Sequence, residues 1–193
     1  MAQVAPRRRL SEQEYLEGER SSEVRHEFVG GDTYAMVGAS DRHGLVALNL
    51  ATALRPHVRG TNCQLFMADM KLRVEVVGEV AFYYPDLLLS CDPQDRETYF
   101  RQRPCLIVEV LSEATARIDR CEKLYAYTQI PSLQEYLLLA QDRIEAELHR
   151  REGATWTTLR FTEGAVPCTC LNLDIPLAII YEDVPLRDPG AAD

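Results

Sequence analysis

Two acidic residues interrupt hydrophobic, strand-like segments of the chain. Asp86 follows Pro85 within residues 82–89, and Glu109 lies 23 residues later within the apolar run 105–111. Burying a carboxylate is unfavourable unless it is paired, hydrogen-bonded or bound to a cation. Two such carboxylates therefore predict a shared cationic partner. A hard divalent cation such as Mg²⁺ is a natural one because it prefers oxygen ligands.

A lysine close to two metal-binding carboxylates would add positive charge where a phosphoryl group reacts. In many phosphodiesterases with two such acids, this lysine lies two residues beyond the second acid, on the same face of the strand. That position is Leu111 here, and the nearest lysine is Lys123, fourteen residues after Glu109. Lys123 can reach Glu109 if its helix packs back over the end of the strand. The alternative is a helix-surface lysine paired with Asp119 at i, i+4.

The elements that would position these side chains alternate between helix and strand. Helices are predicted at residues 10–16, where Ser11 and Glu14 form a capping box, at 40–59 with Pro56 near the end, and at 119–129, where Asp119 and Glu122 form a second N-terminal cap. Strands are predicted at 24–29, 33–37, 63–66, 71–77, 80–90, 105–111, 133–140, 143–150 and 155–161, and a loop at 92–103. This interleaving predicts one α/β domain over residues 10–184, with a loose arm at 1–9 and a disordered tail at 185–193.

The composition limits the classes of protein that this chain can belong to. A net charge of −9 on 193 residues argues against tight, non-specific nucleic-acid binding, although carboxylates that hold a cation contribute to this sum. No apolar run reaches the ~18 residues of a membrane helix and no signal segment is present, so a cytoplasmic location is expected. The six cysteines lack CxxC spacing and are expected to be reduced and structural.

Several segments together carry a family resemblance that extends from about Ser11 to Val184. They are residues 25–32 (RHEFVGGD), 40–43 (SDRH), 84–86 (YPD), 104–112 (PCLIVEVLS), 119–123 (DRCEK) with Tyr127, 133–136 (LQEY) and 173–177 (LDIPL). In these segments the chain resembles the Uma-type restriction endonucleases, a cyanobacterial-type family of the PD-(D/E)xK nuclease superfamily. It departs from the commoner family pattern at Glu113, where a proline is usual, and at residues 130–132, where many members have a glycine.

This resemblance implies a restriction-endonuclease-like α/β fold, with a central mixed β-sheet flanked by helices. It implies that Asp86 and Glu109 are metal ligands, joined by the backbone carbonyl of Val110. Lys123 would be the catalytic lysine, and Glu27 a further catalytic acid that completes the metal environment.

The activity implied is a metal-dependent endonuclease that hydrolyses phosphodiester bonds of nucleic acid through a metal-activated water. DNA is the expected substrate and Mg²⁺ the expected cofactor, with Mn²⁺ as a substitute. Cutting both strands of a duplex would favour a homodimer. The rival interpretation is a catalytically silent nuclease-fold module that acts in protein binding or assembly.

Each candidate residue also has a structural interpretation. Asp86 after a proline is typical of a turn, and Glu109 could form a buried ion pair with an arginine. Glu27 could pair with Arg25 along its strand, and His43 could be a capping or surface histidine. Three tyrosines are expected to pack rather than to stack on bases: Tyr125, Tyr127 and Tyr136.

Overall fold

The computed structural model describes residues 8–187 and comprises helices interleaved with mixed β-sheets. The helices are α1 (Glu12–Ser21), α2 (Asp41–Val58), α3 (Ala116–Ile118), α4 (Leu124–Thr128) and α5 (Leu177–Ile180). The strands are β1 (His26–Val29), β2 (Asp32–Ala35), β3 (Gln64–Met67), β4 (Lys71–Val76), β5 (Glu79–Tyr83), β6 (Leu87–Ser90), β7 (Phe100–Arg101), β8 (Leu106–Leu111), β9 (Glu135–Ala140), β10 (Ala146–Glu152), β11 (Thr155–Phe161), β12 (Ala165–Cys168) and β13 (Leu173–Pro176). Most of the predicted arm and part of the predicted tail lie outside residues 8–187.

Two larger sheets carry most of the strands. A five-stranded sheet has the order β2-β1-β5-β4-β7, and a six-stranded sheet has the order β11-β10-β9-β8-β6-β3. Both mix parallel and antiparallel pairs, since β4 with β7 and β8 with β9 are parallel. Strand β8 lies inside the six-stranded sheet and is buried along its whole length, as its continuous apolar run predicts.

The hydrophobic core is divided by the six-stranded sheet. On one face, α2 packs with α5 and strands β12 and β13, through residues such as Leu50 and Leu54. The other face packs against α4 and the five-stranded sheet, with Ile107 and Tyr136 in contact with Leu72 and its neighbours. Residues alternate between these faces along β8, so Glu109 lies on the same side as Ile107. The glutamate therefore points into the space between the two sheets.

Pro85 separates two strands that belong to different sheets. The strand-like stretch 80–90 is divided into β5, in the five-stranded sheet, and β6, in the six-stranded sheet. Proline cannot donate a ladder hydrogen bond, so pairing ends where it stands. Asp86 is consequently the residue at which the chain passes from one sheet to the other.

The helix predictions are confirmed at α1 and α2. Ser11 and Glu14 form the expected capping box, and Ser40 accepts from the His43 amide at the start of α2. Helix α2 continues two residues past Pro56. No helix within residues 8–187 is long and apolar enough to cross a membrane.

The third predicted helix begins earlier than expected. Its helical turns run from Ala116 through a π-helical turn, Asp119–Lys123, into α4. Asp119 is therefore inside the helical segment and not its N-cap, because Ser112 and Thr115 have already terminated β8 and started the turn. The loop predicted at 92–103 also contains the short strand β7.

Four of the six cysteines form disulfide bonds, which corrects the expectation of reduced thiols. Cys63 pairs with Cys91 and Cys105 with Cys170. The first pair follows from sheet register: Gln64 lies opposite Ser90 in the antiparallel β3–β6 pair, so the next residues outward also face each other. Sequence spacing could not reveal this, since the paired cysteines lie far apart in the chain. The free cysteines are Cys121, which is exposed, and Cys168, which is buried.

Candidate active site

Strand register brings Asp86 and Glu109 together. In the antiparallel β6–β8 pair, Leu87 lies opposite Val108, so one step further places Asp86 opposite Glu109. The Val110 amide donates a hydrogen bond of 2.7 Å to Oδ2 of Asp86. Asp86 is thus held by the strand that carries Glu109, and both acids lie at the edge of the space between the sheets.

Glu109 is buried and accepts two side-chain hydrogen bonds at a single oxygen. Its Oε1 lies 3.0 Å from the Lys123 Nζ and 2.9 Å from the Tyr127 hydroxyl, and both groups donate to it. Burial raises the pKa of Glu109 to about 8, an effect that Lys123 opposes and that the charge of Asp86 reinforces. The carboxylate therefore has a strong electrostatic reason to bind a cation.

Lys123 is the centre of a cluster of carboxylates. Its Nζ lies 3.0 Å from Glu109, 3.1 Å from Oε1 of Glu27 and 3.2 Å from Oδ1 of Asp119. Burial opposes the charged form, but the three carboxylates outweigh it and hold the pKa of Lys123 well above its usual value. Lys123 is therefore a fixed ammonium in a buried site and not an ordinary surface lysine.

The π-helical turn explains how Lys123 reaches Glu109. It presents Asp119 and Lys123, which are both buried, toward the two sheets. Such turns are frequent at functional sites because the extra residue redirects side chains. Both pairings weighed for this lysine are present, since it contacts Asp119 within the turn as well as Glu109. Asp119 was not predicted as a site residue, although its i, i+4 spacing to Lys123 was a usable signal.

Glu27 belongs to the five-stranded sheet, whereas Glu109 belongs to the six-stranded sheet. The alternative pairing of Glu27 with Arg25 is not formed, because Arg25 contacts Asp69 instead. The four residues named as catalytic candidates thus converge, with Lys123 in contact with Glu27 and Glu109, and Asp86 opposite Glu109.

His43 lies beside Asp86 at the start of α2. Its Nε2 is 3.2 Å from Oδ2 of Asp86. Burial lowers the pKa of His43, but the hydrogen bond and charge of Asp86 reverse this and leave it raised. His43 was expected to be a capping or surface residue. The structure instead places its imidazole directly against the Asp86 carboxylate.

The tyrosines differ in their environments. Tyr125 is 55% exposed, whereas Tyr127 and Tyr136 are fully buried. Their rings pack edge to face, as expected of packing aromatics, but their hydroxyls also serve the site. Tyr127 donates to Glu109, and Tyr136 donates to the Asp119 carbonyl at 3.1 Å. Apart from the presence of Tyr127 in the family pattern, no sequence signal pointed to these polar roles.

The two central acids keep oxygens that fit a divalent cation. Within residues 8–187, Oδ1 of Asp86 and Oε2 of Glu109 accept no side-chain or backbone hydrogen bond. Mg²⁺ is commonly held by one or two carboxylates and keeps several waters. In the same range, no three His, Cys, Asp or Glu side chains form a ready-made enclosure for a metal. The residues present therefore fit a water-rich site held by two carboxylates.

The fold is that of a nuclease-like α/β protein. The structure is similar to the crystal structure of a putative nuclease belonging to DUF820 from Anabaena variabilis, with a TM-score of 0.69 over 88% of this chain and 96% of that chain. The two sequences are 14% identical, so this likeness concerns the fold.

Sequence comparison identifies the family. Residues 12–178 match the model of the Uma2 family, described as "Putative restriction endonuclease". Two uncharacterized proteins of Synechocystis sp. are also similar: one is 34% identical over 92% of this chain and 94% of its own length, the other 31% identical over 79% and 87%. The chain belongs to the Uma2 family, as the resemblance in its motifs predicted.

Proposed function

We propose that this protein is a Mg²⁺-dependent endonuclease that hydrolyses phosphodiester bonds of nucleic acid, with DNA as its substrate. The observation that carries the proposal is the contact of 3.0 Å between Lys123 and Glu109, directly beside Asp86. It places a fixed ammonium beside two carboxylates that each have a free oxygen, and a cation held there together with this ammonium would stabilise charge that develops on a phosphoryl group. We assign the activity to one domain spanning residues 10–184.

Asp86 and Glu109 would hold the cation, together with the backbone carbonyl of Val110. Mn²⁺ would substitute for Mg²⁺ because it also accepts oxygen ligands. When bound, the divalent ion would supply positive charge to the phosphoryl group and make a water molecule more acidic. Membership of this nuclease family supports such a requirement.

The side chains around the cation would then position the water and the ligands and stabilise charge. Lys123 would orient the attacking water and stabilise negative charge on the phosphoryl oxygens while Glu27 and Asp119 hold its ammonium in place. Tyr127 would keep Glu109 in one orientation. His43 would likewise keep Asp86 in one orientation. The water oxygen would form a bond to phosphorus and lose a proton to solvent, the bond from phosphorus to the leaving oxygen would break, and the leaving oxygen would take up a proton from solvent.

Cleavage assays test this proposal directly. Wild type, Asp86→Asn and Glu109→Gln would be incubated with plasmid and single-stranded DNA in Mg²⁺, in Mn²⁺ and in EDTA. Glu163→Gln is a matched control because Glu163 is an exposed carboxylate in a loop. We expect wild type and the control to cut DNA only when a metal is present. Both site variants should lose this activity.

Two results would contradict the proposal. Cleavage retained by Asp86→Asn would remove the site assignment. No cleavage of either DNA substrate by folded wild type would favour a silent nuclease-fold module that binds a protein partner, which the net charge of −9 also suits. Sedimentation would test the proposed homodimer, which duplex cleavage by symmetric subunits favours.

A further inference from the structure

A cleft with a volume of about 440 Å³ lies between helix α2 and strand β3. It is lined by Ala51, Thr52, Arg55, Pro56, Arg59, Leu65, Phe66 and Met67. Strand β3 is an edge strand of the six-stranded sheet and pairs only with β6 in the part of the chain described. The cleft is thus open to solvent along one margin of the sheet, and none of the candidate catalytic side chains contributes to it.

Two arginines in this cleft lack acidic partners. Arg55 and Arg59 are exposed, and neither lies within 4.0 Å of a carboxylate in residues 8–187. Many other arginines of this acidic chain form ion pairs, for example Arg73 with Glu12 and Arg150 with Glu135. Arginines left unpaired along one wall of a cleft favour an anionic occupant.

The opposite wall of the cleft is apolar. Leu65 and Met67 are two residues apart in β3 and therefore point to the same face of the sheet, toward α2. Met67 remains 42% exposed despite its size. An occupant that suits both walls carries phosphates for the arginines and flat apolar surfaces for Leu65, Met67 and Pro56.

The two elements that form the cleft both have one end close to Asp86. Near the start of helix α2, His43 contacts the side chain of Asp86. Strand β3 ends next to Ala68, whose amide donates a hydrogen bond of 3.0 Å to the Asp86 carbonyl. Twelve residues separate His43 from Arg55, which is about 18 Å along a helix. The cleft lies on the α2 face of the six-stranded sheet and Glu109 on the other face, so a nucleic-acid strand that contacts the site would reach the cleft by passing around the end of the sheet beside Asp86.

We infer that this cleft binds a single-stranded segment of the nucleic-acid substrate, with its phosphates on Arg55 and Arg59 and its bases against the apolar wall. This inference rests on the proposed nuclease function and specifies the substrate. A duplex stacks its bases inside the helix and cannot offer them to Leu65 and Met67, whereas unpaired bases are free to do so.

Binding measured without cleavage tests the inference. A 20-nucleotide mixed-sequence DNA labelled with fluorescein would be titrated with wild type in EDTA, and anisotropy recorded at several salt concentrations. Arg55→Gln/Arg59→Gln is the test variant. Arg117→Gln/Arg143→Gln removes the same charge from exposed arginines that pair with Glu122 and Glu145 and do not line the cleft.

The test variant is expected to bind the single strand at least tenfold more weakly than wild type and the control. A plot of the logarithm of the association constant against the logarithm of the salt concentration has a negative slope. Its magnitude should decrease by about 1.4, since each lost phosphate contact on a single strand contributes about 0.7. Unlabelled single strand should compete better than the same sequence as a duplex. Circular dichroism would verify that all variants are folded.

Several results would overturn the inference. They are absence of binding by wild type, equal binding by the test and control variants, stronger competition by the duplex, and a stable dimer that covers the cleft. Failure here is distinguishable from failure of the proposed activity. Arginine-dependent binding without any cleavage would support the binding role of the cleft and contradict the nuclease activity. Metal-dependent cleavage that the arginine substitutions leave unchanged would support the nuclease activity and contradict the binding role of the cleft.

Discussion

Lys123 joins the two large sheets through their acidic residues. Its ammonium lies 3.1 Å from Glu27, on the five-stranded sheet, and 3.0 Å from Glu109, on the six-stranded sheet. The side chain is only 7% exposed. Charge at this point therefore contributes both to the stability of the fold and to the chemistry of the site, and the first prediction separates the two contributions.

Replacement of Lys123 by Met should abolish cleavage and lower the free energy of unfolding by about 3 kcal/mol, because buried carboxylates lose their cation. Lys123→Arg keeps the charge and should recover part of the stability but little activity, since the larger guanidinium does not fit between the carboxylates. Urea unfolding and plasmid cleavage measure the two effects. A loss of stability no larger than that of exposed Arg117→Gln would show that the cluster is not coupled to the fold.

Glu109 should make stability depend on pH. Its pKa is raised to about 8 by burial, against 4.5 for an exposed glutamate. Between these values the folded chain binds more protons than the unfolded chain, so the free energy of unfolding should fall as pH rises from about 4.5 to about 8. Denaturant unfolding without metal, at a series of pH values, measures this.

The variant Glu109→Gln isolates that effect. Gln cannot titrate, so its stability should fall less steeply over the same range, although His43, whose raised pKa acts in the same direction, still contributes. Mg²⁺ should bind wild type more tightly as pH rises, since it requires the ionised carboxylate. Identical pH profiles for wild type and Glu109→Gln would rule out a raised pKa at this residue.

Tyr127 should act by holding Glu109 in position. Tyr127→Phe keeps the ring packing but removes the hydroxyl that donates to Oε1 at 2.9 Å. We expect a loss of about 1–2 kcal/mol in stability, weaker Mg²⁺ binding and slower cleavage. Tyr125→Phe is the matched control, because its ring is largely exposed and should tolerate the same change. Equal metal affinity in the two variants would argue against this role.

The two disulfide bonds should be detectable by alkylation of free thiols and by measuring the free energy of unfolding. Under denaturing, non-reducing conditions only Cys121 and Cys168 should be labelled, and reduction should expose four more thiols. Replacing Cys105 and Cys170 by Ser removes a link across 65 residues and should cost about 3–4 kcal/mol. Mass spectrometry and urea unfolding measure these outcomes. Cys121→Ser serves as the control, and labelling of all six cysteines before reduction would disprove the pairing.

Local sequence patterns predicted most of the helices and strands because each pattern depends only on residues close together in the chain. Examples are the capping box at Ser11, the break at Pro85 and the apolar run around Glu109. The start of the third helical segment was misplaced because Asp119 is a good N-cap residue by type, while the turn formed by Ser112 and Thr115 had already begun the helix.

The sequence by itself determined that Asp86 and Glu109 need a partner, because an acid inside an apolar strand is costly wherever that strand packs. It also carried the family pattern that includes Lys123. Only the tertiary structure decided which groups meet. Strand register placed Asp86 opposite Glu109 and Cys63 opposite Cys91, and helix packing brought Lys123 to Glu27. Those contacts join residues far apart in the chain, and their distances depend on how whole sheets and helices pack.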